Sequence, residues 1–542
     1  MRYVPPGLGF LLMAMFSWAA PLQAALVETY DLGTITLVQP EVPSEAAAMP
    51  VPLTGSIAVP DGEGPFPLVV ILHGRHPGCH FANPAPSQWP CTERETRYDQ
   101  GFSYLADHLA EAGYLTLVPN LNGAYADAYG STETNRNRLA HQRGIEIATV
   151  HIQRLLAAHG GEQSGFSVPL LGNLNIQQIA IVGHSLGGSI AALLTESLGP
   201  QAVDGLLLLA PTPSLPVKSA QEAYQLPNVP TSVLIGSCDR DVFDLSSLYY
   251  FERASQHQQR SQRVSATLVL GANHNFFNTA IMADDYRQLP NNSPQCSVTS
   301  PQRLSRQDQA DFTATYTRAF VASSFKADLT WDNLGLALDQ KAPSHLFGIP
   351  VATNLALPSK QLMLFRAADY ADMHSPENTN LEFNRLTPRY CPALSQCGDF
   401  IRLMPQFPSV LRLSWQQPAR LRWHTATPLN AQAYDSLQLR LAVDSSDLLN
   451  AHGSPSISIT LGDNQGRYSR INIPASEPAL RLFAPDQRWG YQTIPSYATA
   501  LRIPLNQFSG IHLDAIATVD IDFDKTPQGT IEIAEIGLIG AP

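Results

Sequence analysis

Gly183-His184-Ser185-Leu186-Gly187 sets one serine between two glycines on a G-x-S-x-G spacing. A bare match of this kind arises by chance in roughly one chain in five of this size, at ~7% frequencies for Gly and Ser. The surroundings make it specific. The apolar run Ile179-Ala180-Ile181-Val182 reads as a strand directly before it, and Ser189 to Leu198 reads as a helix directly after it. A serine on a sharp strand-to-helix turn projects its hydroxyl into the open, and side chains in place of the flanking glycines would clash there. Ser185 is therefore the candidate nucleophile for attack on an acyl carbon.

A lone serine hydroxyl is a poor nucleophile, so it needs a base, and the base needs an orienting carboxylate. Two later loops offer them. A strand ending at Ile235 runs into Gly236-Ser237-Cys238-Asp239-Arg240-Asp241, and a strand ending at Leu270 runs into Gly271-Ala272-Asn273-His274-Asn275. Both leave the C-terminal ends of successive strands, the edge where open α/β sheets assemble their sites. His274 is the candidate base. Asp239 and Asp241 compete as its acid partner, with Asp239 favoured and Asp241 read as a loop-stabilising residue. An oxyanion needs two N–H donors. The amide of Leu186 is one candidate. The amide of Arg75, in the His73-Gly74-Arg75 loop after the strand Leu68 to Leu72, is the other.

The set Leu72-His73-Gly74, Gly183-His184-Ser185-Leu186-Gly187-Gly188, Asp239 and His274 resembles the α/β-hydrolase superfamily. It is most similar to the esterase branch with dienelactone hydrolases, platelet-activating-factor acetylhydrolases, chlorophyllases and secreted cutinase- or lipase-like polyester hydrolases. The likeness runs over about residues 50 to 325. It implies the chain order serine, acid, histidine, an acyl-enzyme, and an acid three residues past the strand-ending glycine, which is Asp239. No cofactor is implied, and the superfamily hosts many substrates, so the ester remains open among small molecules, lipids and polymers.

The elements that must position these residues alternate short β-rich runs with helical stretches from about Pro52 to Asn275. Leu68-Val69-Val70-Ile71-Leu72 is a continuous apolar run, as for a strand covered on both faces. Helices are predicted over Phe102 to Ala112, Ile145 to Ala158 and Asp308 to Phe325. After Trp331 short alternating strands take over: Leu437 to Leu441, Ser456 to Leu461, Ile471 to Ile473, Leu501 to Pro504, Val519 to Phe523 and Ile531 to Ile536. The expected fold class is α/β: a doubly wound, mostly parallel α/β-hydrolase sheet over residues 25–335, followed by a second, all-β sandwich over 350–542. The latter resembles galactose-binding-like jelly rolls in Leu501-Arg502-Ile503-Pro504-Leu505, Phe508-Ser509-Gly510 and Gly529-Thr530-Ile531-Glu532-Ile533. It is a candidate binder of polysaccharide or another surface. Trp415, Trp423 and Trp489 are either sugar-stacking or core residues.

At 542 residues the chain is long enough for two domains, and its formal net charge of −12 argues against nucleic acid as a partner. Arg2, the apolar stretch Gly7 to Ala20 and Leu22-Gln23-Ala24 read as an export signal cleaved after Ala24, too short for the ~20 residues of a membrane span. No later stretch is long and apolar enough to cross a membrane, so a secreted or periplasmic protein is expected. Six cysteines in an exported chain suggest disulfides. Sequence proximity pairs Cys79 with Cys91 and Cys391 with Cys397, leaving Cys238 with Cys296 to tie the two catalytic loops.

His73, His76, Cys79 and His80 crowd one loop, but a disulfide at Cys79 and an oxyanion role beside His73 leave no metal site expected. His141 and His151 read as helix-surface residues. The polar segment Asn120 to Arg143 is either a lining of the substrate pocket or a solvated insertion. The leading expectation is a serine esterase. The alternatives are a peptidase or amidase on the same triad, and a non-catalytic carbohydrate-binding protein.

Overall fold

The computed structural model describes residues 27–540 apart from 40–41, 43–46, 81–88, 128, 163–164, 214–221, 287–294, 326–330, 371–379, 394–396, 398–400, 403–407, 489–490 and 495–496. The expected leader and Trp489 lie outside the described residues.

The first sheet contains β1 (Val27–Val38), β2 (Ala48–Ala58), β3 (Phe66–Leu72), β4 (Leu115–Pro119), β5 (Leu174–His184), β6 (Gly205–Leu209), β7 (Thr231–Gly236), β8 (Val264–Val269), β9 (His345–Leu346) and β10 (Ile349–Ala356). Its helices are α1 (Ser103–Ala110), α2 (Arg136–His159), α3 (Leu186–Leu198), α4 (Tyr249–Gln256) and α5 (Arg306–Phe325). The apolar run in β3 shows why both faces must be covered. Successive strand side chains point to opposite faces, so Leu68, Val70 and Leu72 enter one core with Ile147, Leu155, Ile190 and Leu194 from α2 and α3. Val69 and Ile71 enter the other with Leu105, Leu109, Phe312 and Phe320 from α1 and α5.

The expected fold class needs correction. The strand order is β1-β2-β4-β3-β5-β6-β7-β8-β10-β9. Pairing is parallel from β4 through β8 but antiparallel at β1–β2, β2–β4, β8–β10 and β9–β10. With the remaining sheets counted, 34% of the described residues are strand and 25% helix, so large antiparallel sheets, not a doubly wound parallel one, dominate them. The physical reason is that both ends of the first sheet close with strands returning antiparallel, a pairing that needs no crossover helix. Because β10 pairs with β8, the first sheet also runs past the expected boundary at 335–350.

The rest of the chain supplies β11 (Gln361–Arg366), β12 (Leu381–Asn384), β13 (Thr387–Cys391), β14 (Ile401–Arg402), β15 (Val410–Trp415), β16 (Ala419–Leu429), β17 (Ser436–Ala442) and β18 (Ile457–Asp463). It continues with β19 (Tyr468–Ile473), β20 (Asp486–Arg488), β21 (Tyr491–Ile494), β22 (Thr499–Pro504), β23 (Ile516–Phe523) and β24 (Gly529–Ile539). One antiparallel sheet runs β13-β15-β24-β17-β22 with β11 on β24, and a second runs β12-β16-β23-β18-β19. Leu437, Leu439 and Leu441 of β17 meet Ile459, Leu461, Val519 and Ile521 of the second sheet in a shared core. Trp415 and Trp423 are buried there, which decides for core residues over sugar platforms.

The alternate residues of β17 and β22 look like a solvated face in sequence, yet every residue of both strands is buried. They lie against the first sheet. Gln438 donates to the Leu355 carbonyl, Arg502 to those of Gly335 and Gln340, and Tyr497 to that of Ala352. Arg440 pairs with Glu252 of α4, both almost fully buried. Removing one partner of such a pair strands an uncompensated charge. Arg440→Ala is therefore expected to cost about 3–5 kcal/mol in chemical denaturation, with both sheets lost in a single transition. Two separate transitions in the wild type, or no loss in the variant, would show that the contact does not join them.

Candidate active site

Ser185 stands between the last residue of β5 and the first of α3, at φ 56° and ψ −127°. For a non-glycine residue this is strained backbone, and it persists only where the surroundings fix it. Here they do. The Ser185 N–H donates to the Leu209 carbonyl, and its own carbonyl accepts from Gly188 and Thr212. A Cβ on Gly183 would run into the Gly187 carbonyl, and one on Gly187 into the carbonyls of Leu72 and His73. The turn can be this tight only because both positions lack side chains.

The base and acid loops sit beside each other after β8 and β7. His274 Nδ1 is 2.8 Å from Asp239 Oδ2, with both side chains buried. Asp239 Oδ1 accepts the N–H groups of Asp241 and Val242, which fixes the carboxylate. The Cys238 N–H donates to the Ala272 carbonyl, and Gly271 N–H to Ser237 Oγ, so the loops are bonded to each other directly. Gln309 of α5 grips both the N–H and the carbonyl of Asn273. Asp239, favoured over Asp241, thus takes the Nδ1 side of the imidazole. Asp241, exposed, comes within 3.2 Å of Nε2, although Nε2 has no hydrogen-bond partner among the described residues.

Ser185 and this pair are joined through His184. Its ring lies 4.8 Å from the His274 ring, and its Nε2–H donates to the His274 carbonyl at 3.1 Å. Burial drives His184 well below its ordinary value, so it stays neutral. His184 was not singled out from sequence; its place beside the serine was the available signal. Gly74 backs onto the serine: a Cβ there would lie 2.5 Å from Ser185 Cβ. Arg75 follows, its guanidinium held by Asp127 and Asn137. Leu186 opens α3, where the first N–H groups of a helix lack intrahelical partners. The Asn120–Arg143 segment is tied to this loop rather than loosely solvated. Leu121 N–H donates to His73 Nε2 and Tyr125 Oη–H to the His73 carbonyl, while α2 already begins at Arg136.

All three expected disulfides are formed: Cys79–Cys91, Cys238–Cys296 and Cys391–Cys397. Such bonds persist in oxidising compartments. No group of residues suited to hold a metal ion occurs among the described residues, and no described helix is long and apolar enough to cross a membrane. His141 and His151 are buried, not on the helix surface. They bond Ser189 Oγ and Tyr30 Oη, because the inward stripe of α2 passes through both positions.

No protein-family profile matches the sequence, and no curated protein matches it. Among solved structures, the family 11 carbohydrate-binding module from Clostridium thermocellum in complex with a β-1,3-1,4-mixed-linked tetrasaccharide is similar at a TM-score of 0.22 and 10% identity, over 34% of this chain and 96% of the module.

Burial alone would lower the His274 imidazole, but the charge and hydrogen bond of Asp239, then the charges of Asp241 and Asp285, outweigh it and raise the group to about 9. This folded value exceeds the unpaired one of 6.5, so the stabilisation is fully present below 6.5 and is lost as pH rises through about 9. NMR titration of labelled histidine should place the His274 midpoint near 9 and find it lowered in Asp241→Asn. A midpoint at or below 6.5 would contradict this electrostatic arrangement.

Proposed function

We propose that the chain is a serine hydrolase of carboxylic esters, as its resemblance to the α/β-hydrolase esterases implies. The observation that carries the reading is the strained Ser185 turn beside a buried Asp239–His274 hydrogen bond whose outer imidazole nitrogen has no hydrogen bond among the described residues. Ser185 Oγ attacks the ester carbonyl as His274 Nε2 takes its proton. The N–H groups of Leu186 and Arg75 hold the oxyanion. His274 then returns the proton to the leaving alcohol, and Asp239 keeps the imidazole in the right tautomer throughout. Water repeats the sequence on the acyl-enzyme and frees the acid and Ser185. The disulfides support a secreted or periplasmic location.

Ser185→Ala should cut turnover of p-nitrophenyl butyrate by about 10⁴-fold or more, with an unchanged circular dichroism spectrum. In the wild type kcat/KM should climb with pH towards a plateau above about 9, because the base must be neutral to accept a proton. Retained turnover in Ser185→Ala would refute the assignment. Matched amide substrates separate a peptidase or amidase. A non-catalytic carbohydrate-binding protein, the class of the module above, would instead hydrolyse no ester and be retarded by an immobilised glycan whether or not Ser185 is present.

A further inference from the structure

One carboxylate belongs to neither catalytic loop yet holds both. Asp285 Oδ2 accepts the N–H of His274 at 2.7 Å and the N–H of Arg240 at 3.3 Å, and Oδ1 accepts the N–H of Asn275 at 3.1 Å. Arg240 Nη1 returns a bond to the Asp285 carbonyl at 3.2 Å. The donors are the base residue itself, its successor, and the residue between Asp239 and Asp241. Asp285 therefore sets the spacing across which the His274–Asp239 bond forms.

The carboxylate is itself fixed from both sides. Asp284, before it, is held by Arg303 at 2.7 Å. Tyr286, after it, packs in a small buried cluster with the Cys238–Cys296 disulfide, and Arg303 lies over its ring while donating to the Cys296 carbonyl. One arginine, one disulfide and one tyrosine thus present Asp285 to backbone donors from two loops.

We propose that Asp285 is a positioning residue for the hydrolytic reaction, a carboxylate clamp that registers the base loop against the acid loop. The inference rests on the serine-hydrolase reading above. Its negative charge also faces the imidazole together with those of Asp239 and Asp241, opposite the neutral His184 ring. His76, whose ring stacks on His184, is half-buried and pushed down by desolvation to about 3, so it brings no charge. Burial, then the Asp239 charge, raises Asp285 to about 6, so it is ionised above neutrality, where the base works.

The test compares wild type, Asp285→Ala and Asp285→Asn with p-nitrophenyl butyrate across pH, with thermal melting of each. Asp285→Ala leaves the N–H groups without an acceptor, and kcat should fall about a hundredfold with KM little changed, as for a misplacement of about 1 Å. Asp285→Asn keeps one acceptor oxygen and should lose less, about tenfold. In both variants the acid limb of kcat/KM should move to lower pH, because a negative charge beside the imidazolium is gone. A merely structural role would lower the melting temperature and leave the limb in place. An active wild type with an unmoved limb or unchanged kcat in Asp285→Asn overturns the clamp, and should Asp285→Ala fail to fold, that variant decides. A wild type inactive on every ester instead overturns the hydrolase reading.

Discussion

The backbone of Ser185 is the constraint around which the first sheet is arranged. A serine at φ 56° is unfavourable by itself. It is held because β5 ends there, α3 begins at the next residue, and the carbonyls of Leu72, His73 and Gly187 crowd the glycines on either side. The same strand end carries His184, which reaches across to the His274 carbonyl. The strand end that carries the strained serine is thus hydrogen-bonded to the base loop. The parallel run β3, β5, β7 and β8 brings Arg75, Ser185, Asp239 and His274 to one edge, since each leaves the C-terminal end of its strand.

Much of this was legible from residue types. The glycines around Ser185 announced a turn that no side chain could enter, and the disulfide partners followed from spacing. Asp239 against Asp241 was a harder choice, because the two differ only by position. In the structure Asp239, held by the Asp241 and Val242 N–H groups, bonds Nδ1, while exposed Asp241 stands 3.2 Å from Nε2 without a hydrogen bond to it. Asp285 gave no signal, since its partners are backbone groups that sequence does not distinguish.

The misread elements share one cause: polar side chains in buried places. His141 and His151 occupy inward positions of α2, where an apolar residue would have announced the stripe. Arg440 and Arg502 alternate with leucine and isoleucine like residues facing water, whereas they are buried and bond Glu252 of α4 and the Gly335 carbonyl. The fold class departs from the sequence expectation for a related reason. Local helical spacing between strands suggests parallel pairing, but the direction in which β2, β9 and β10 return depends on long-range pairing that periodicity does not encode.

The central claim is that Ser185 is chemically activated by an imidazole from a loop at the same edge of the sheet. A fluorophosphonate reacts with activated serines and spares ordinary ones, so mass spectrometry of the labelled protein tests it directly. The account predicts a single adduct on the peptide containing Ser185 in the wild type and none in His274→Ala. An adduct that survives loss of the imidazole, or a wild type that stays unlabelled, would contradict it.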